Sequence, residues 1–89
     1  MAEAKSQQRW RQKVQLLKSQ LNVMARAQTH DGLERLAEAH QLRGKAEAVA
    51  FACFVTRALM QRAEYSPEAA RMLDDFAAGY RRDRHFHAP

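Results

Sequence analysis

The chain has 89 residues, with fifteen Lys and Arg against ten Asp and Glu, for a formal net charge of +5. That length is one small domain, which rules out a two-domain enzyme with a cleft between its lobes. Three Gly, two Pro and a single Cys argue against a turn-rich β-sandwich and against a disulfide framework or a Cys-based zinc site. Segments rich in Ala, Leu, Met, Glu, Gln, Arg and Lys favour helix.

The charge is unevenly spread. Residues 1–26 hold Lys5, Arg9, Arg11, Lys13, Lys18 and Arg26 against Glu3 alone, residues 27–80 are mildly acidic, and Arg81, Arg82 and Arg84 face only Asp83. Basic ends around a near-neutral body suit a polyanionic partner, bound with strong salt dependence through counterion release. No stretch approaches the ~18 apolar residues of a membrane span, and the N-terminus lacks an apolar signal core. Cys53 stands alone in an apolar run, which suits a reducing compartment. The expectation is a cytoplasmic protein with no membrane association.

Residues 1–16 read as a basic N-terminal arm, with Arg9, Arg11 and Lys13 placed to meet phosphate and Trp10 its one large apolar group. From Leu17 the pattern changes. Leu17, Ser19, Leu21, Val23, Ala25 and Ala27 alternate with Lys18, Gln20, Asn22, Met24 and Arg26, a period of two that predicts a strand with one dry face. Val14, Leu17, Leu21 and Met24 also fit a helical stripe, so helix stays open as the alternative. Thr29 and Asp31 are the candidate caps of the next segment. There Leu33, Leu36, Ala37 and His40 form one apolar stripe ending near Gln41.

Gly44 breaks that helix. Lys45 or Ala46 opens a second one, running to about Ala63 and apolar around most of its girth. Val49, Ala52, Cys53, Thr56, Leu59 and Met60 lie on one side, with Phe51, Phe54 and Val55 beside them. One short neighbour cannot cover such a helix, so a second subunit is implied. Ser66-Pro67-Glu68 marks a third start, where Ser caps, Pro takes the first turn and Glu meets the dipole. Ala69, Met72, Leu73, Phe76, Ala77 and Tyr80 form its stripe, Gly79 is its expected stop, and residues 81–89 read as a flexible basic tail.

A single strand needs a partner for its backbone groups. The same strand of a second chain would supply one, giving a two-stranded antiparallel ribbon over four helices. Leu21, Val23 and Ala25 would face inward, and Gln20, Asn22 and Met24 outward between Lys18 and Arg26. A two-stranded ribbon fits the DNA major groove. There Gln and Asn match the adenine edge, Met can touch a thymine methyl, and Lys18 and Arg26 can reach guanine or phosphate.

These pieces resemble the ribbon-helix-helix repressors, the group that includes Arc, CopG and MetJ. The resemblance spans about residues 18–62. It rests on Gln20-Leu21-Asn22-Val23-Met24, the Leu33, Leu36 and Ala37 helix, the Leu42-Arg43-Gly44-Lys45 turn, and Ala46-Glu47-Ala48-Val49 opening the second helix. It implies a mostly α fold: an intertwined ribbon-helix-helix homodimer over residues 17–63, with an extra C-terminal helix over 64–80. It further implies base reading by Gln20, Asn22 and Met24, and a DNA phosphate held by the backbone at Gly44, Lys45 and Ala46. Helix N-termini attract anions in any case. Met24 and Arg43-Gly44-Lys45 depart from the pattern, which favours a polar third strand residue and Ser or Thr in the turn. Arg43 and Lys45 would replace the missing hydroxyl electrostatically, and Glu47 would pair with one of them.

The remaining candidates carry less. His30, His40, His85 and His87 form no ligand cluster in sequence, and Cys53 reads as core packing. Asp74 and Asp75 point about 100° apart on a helix. With no phosphate loop or nucleophile elbow, the chain reads as a non-enzyme without a cofactor. The expected function is sequence-specific binding of double-stranded DNA by a homodimer, with dimers pairing on adjacent half-sites, as a transcriptional repressor or plasmid-type regulator. Two alternatives stand beside it. One is an antitoxin whose Met72, Leu73, Phe76 and Tyr80 face grips a toxin; the other is an all-helical protein-binding inhibitor.

Overall fold

Arg26, rather than Thr29 or Asp31, stands at the start of the first helix in the computed structural model, which describes residues 17–89. The basic arm, with Trp10 and the phosphate candidates Arg9, Arg11 and Lys13, lies outside the described residues. The described residues form four helices in order: α1 (Ala27–Ala39), α2 (Lys45–Ala63), α3 (Pro67–Arg82) and the short α4 (Arg84–His87). α2 is central, packing against α1 and α3, while α4 rests against α3. No helix among the described residues is long and apolar enough to cross a membrane.

Local chemistry sets each boundary. The backbone at Arg26 is extended, and its carbonyl accepts from the N–H groups of Thr29 at 2.9 Å and His30 at 3.2 Å. Ala27 and Gln28 are good helix formers, so the turn closes before Thr29 can act as a cap. α1 ends in a left-handed turn: Gln41 takes φ 58°, and the Leu42 N–H donates to the Ala37 carbonyl at 2.8 Å. That bond is the six-to-one closure of a Schellman motif, with Gln where Gly is usual. Gly44 then caps α2 at φ 128° and ψ −168°, a backbone region that side chains disfavour.

The Ser66-Pro67 start is present as expected. Ser66 Oγ accepts from the Ala69 N–H at 3.3 Å, Pro67 takes the first turn, and Glu68 stands near the positive end of the helix. Gly79 does not stop α3, which runs through it to Arg82. The Asp83 N–H closes onto the Gly79 carbonyl at 3.1 Å, and Arg81 and Arg82 suit the negative end of the dipole. The tail beyond is not loose chain either, since Arg84–His87 form a helical turn.

The ribbon must be corrected. The described residues contain no strand and no sheet, and residues 17–26 carry neither helix nor ladder. Alternating polarity reports that one side of a segment is dry; it does not supply the hydrogen-bonding neighbour that makes a strand. Here Leu21, Val23 and Ala25 instead line an open apolar groove formed with α1 and α2, with Leu21 and Val23 still largely exposed. The mostly helical class stands; the two-stranded ribbon does not.

The interior is thin. Ala37 of α1 and Ala48 of α2 are the buried residues among those described, two small side chains that let the helices approach closely. His40 adds a ring contact to Phe51 at 4.6 Å between centroids. Outside this contact the expected core stripe of α2 is only partly covered, with Ala52 and Leu59 half-buried. Val49 and Met60 are exposed, and so is Cys53, which the apolar pattern assigns to packing.

Candidate nucleic-acid interface

Residues 18–26 carry two kinds of side chain. Leu21, Val23 and Ala25 meet Leu33 of α1 and Val49 and Ala52 of α2 around a groove of about 350 Å³. The groove is open: Leu21 is 72% exposed and Val23 57%. Gln20, Asn22 and Met24, which do not line it, are all exposed, with Met24 at 89%. Lys18 and Arg26 bracket these residues in sequence and are exposed too. Amide side chains with paired donors and acceptors, between two cations, are the groups that read base edges and contact phosphates.

The two cations are not equivalent. Arg26 is held from the far end of the chain, where its Nε donates to the Ala88 carbonyl at 2.8 Å. Beside it, Gln28 Nε2 donates to the Phe86 carbonyl and lies 3.4 Å from His87 Nδ1. The His87 ring in turn stacks on Tyr80 at 6.0 Å. Sequence reasoning missed this closure, because a backbone carbonyl as acceptor leaves no mark in residue type.

The α2 start, the expected phosphate cradle, is already furnished. Glu47 Oε1 accepts the Arg43 backbone N–H at 2.9 Å, so its carboxylate sits where an incoming anion would approach. Glu47 thus acts through the backbone of Arg43, not by pairing with a cationic side chain. Lys45 turns onto α1, with Nζ 3.2 Å from His30 Nδ1 and 4.0 Å from a Glu34 carboxylate oxygen. Arg43 and Ala46 are exposed and Gly44 is half-buried. This corner therefore presents the Arg43 side chain with the Glu47 carboxylate beside it, a weaker anion site than its sequence promises.

On α3, Leu73 and Ala77 are half-buried while Met72, Phe76 and Tyr80 form an exposed apolar flank, Phe76 at 69%. No cluster of three His, Cys, Asp or Glu side chains able to hold a metal occurs among the described residues. No family model matches the chain, and no curated protein or solved structure matches it.

Proposed function

We propose that this chain is a DNA-binding protein that works as a homodimer and regulates transcription. The observation that carries the proposal is the make-up of residues 18–26: Leu21, Val23 and Ala25 line an open apolar groove on the helices, and Gln20, Asn22 and Met24 stand exposed between Lys18 and Arg26. Amides contribute sequence preference, and the cations contribute attraction to the phosphate backbone. The basic ends of the chain add to that attraction. Self-association is supported by the open groove and by Val49, Cys53 and Met60, which recur along one side of α2 and stay exposed in the single chain. Fully burying an exposed Val or Met side chain stabilises by ~1.5–3 kcal/mol, and covering what is still exposed of Val49 and Met60 contributes a share of that toward a second copy. A reducing cytoplasm would keep Cys53 a thiol.

The test is binding to duplex DNA from the chain's own promoter region and to a scrambled duplex across a salt series. Preference for the promoter at near-physiological salt supports the proposal. Equal, weak binding that vanishes with salt refutes it. A second reading, an antitoxin, is favoured by the exposed Met72, Phe76 and Tyr80 flank, a face suited to a protein partner. Co-purification of a small toxin with the intact chain, abolished in Phe76→Ser, would single it out.

A further inference from the structure

The C-terminal residues are bound back onto the chain at the place where the DNA-facing side of residues 18–26 ends. Two bonds hold them: Arg26 Nε to the Ala88 carbonyl at 2.8 Å, and Gln28 Nε2 to the Phe86 carbonyl. Both acceptors are backbone atoms, and the His87 side chain joins them, its Nδ1 3.4 Å from Gln28 Nε2, while the Arg84 side chain takes no part in the attachment. The stacking of His87 on Tyr80 anchors the same segment to α3. The result is a short strap, residues 84–88, crossing from the end of α3 to the start of α1.

Two electrostatic consequences follow. First, Arg26 spends its Nε–H on Ala88, which fixes the guanidinium plane and leaves its four terminal N–H groups as a preset fork. A fork of that kind suits bidentate contact with phosphate oxygens. Second, the strap carries charge with it. Asp83, the one acid of the tail, is paired with Arg82 at 3.3 Å, whereas Arg84 is exposed and has no ion pair among the described residues. Arg84 stands two residues before Phe86, so its Cα lies within about 8 Å of the residue that Gln28 grips. The strap thus draws the backbone of Arg84 toward the start of α1, where Arg26 stands, although the two cations are 58 positions apart in sequence.

We propose that this strap is part of the DNA-binding surface: it orients Arg26 and brings Arg84 to the phosphate backbone as an additional cation. The proposal rests on the DNA-binding reading above and extends it to the far end of the chain. The ligand is the phosphate backbone of double-stranded DNA, so the strap contributes affinity at every sequence and preference at none.

The experiment compares the full-length parent with Arg84→Ala, Arg26→Lys and Arg71→Ala on one duplex across a salt series. Arg84→Ala flattens the slope of log affinity against log salt by about 0.9, the signature of one phosphate fewer being neutralised. Arg26→Lys keeps the charge but removes the Nε donor, so it weakens binding several-fold with the slope nearly kept. Arg71, on the first half of α3 and about 16 Å along the helix from Arg82, is the control and leaves the slope unchanged. Parent binding with an unaltered slope in Arg84→Ala overturns the strap and spares the DNA-binding reading. A parent that binds no duplex overturns both.

Discussion

Lys45 Nζ lies 3.2 Å from Nδ1 of His30, and this contact ties the first residue of α2 to the second turn of α1. Glu34, one turn further along α1, stands 4.0 Å from the same ammonium group. All three side chains are exposed, so the bridge is screened by water and salt. Lys45→Met keeps most of the aliphatic stem and removes the charge. It lowers stability by about 0.2–1 kcal/mol in urea unfolding at low salt, and the difference fades near 1 M salt. An unchanged midpoint at low salt would show that the bridge contributes nothing.

The turn between α1 and α2 stores strain at one residue and avoids it at the next. Gln41 adopts φ 58° where Gly is the usual choice, and Gly44 adopts φ 128° with nothing within 4 Å of the place a Cβ would occupy. Cost at Gly44 is therefore conformational, with no steric part from neighbours. Gly44→Ala destabilises by about 1–3 kcal/mol, while Gln41→Gly raises stability by about 1 kcal/mol. Thermal unfolding of the two variants beside the parent gives opposite shifts in midpoint. Shifts of the same sign would contradict this account of the turn.

Ser66 offers a cleaner case of one side chain and one bond. Its hydroxyl accepts from the Ala69 N–H, one of the unmatched donors at the start of α3. Ser66→Ala costs about 1 kcal/mol and Ser66→Asp restores most of it, because either oxygen satisfies that donor. Urea titration of both variants checks the pair.

These boundaries show what the sequence made legible. Ser66-Pro67-Glu68 and Gly44-Lys45 are local codes, written in residues a few positions apart, and the helix starts lie where those codes put them. Thr29 and Gly79 misled because each is a weak signal inside a strong helical context. Ala27 and Gln28 closed the turn early, and Ala77, Ala78, Arg81 and Arg82 carried α3 past its glycine. The ribbon failed for a different reason. Alternation at Leu21, Val23 and Ala25 records side chains that gain from apolar contact, and an open groove on the protein's own helices gives them part of it without a sheet. The strap was invisible, since Arg26 and Gln28 bind carbonyls that every residue possesses.

The thin interior bears on association. With Ala37 and Ala48 buried and Val49, Met60 and Cys53 exposed, a second copy would cover what the single chain leaves open. If folding and association are coupled, the unfolding midpoint rises with protein concentration. Cys53 then reports the covering directly: its labelling by a maleimide slows as concentration increases, and Val49→Asp restores fast labelling. Concentration-independent midpoints and labelling rates would identify a folded monomer and remove the dimer from the proposed function.

Asn22 provides the sharpest test of sequence reading, because it is exposed, uncharged and not among the residues that line the groove. Removing it leaves the net charge and the apolar groove as they are. Asn22→Ala therefore weakens binding to the preferred duplex by ~1–3 kcal/mol for each base edge it no longer reads, with little change on scrambled DNA. Lys18→Ala behaves in the opposite way: it weakens both duplexes alike and flattens the salt slope by about 0.9. Measured together, the two variants separate recognition from attraction. Equal losses on both duplexes for Asn22→Ala would remove base reading from this segment and leave the chain a charge-driven DNA binder.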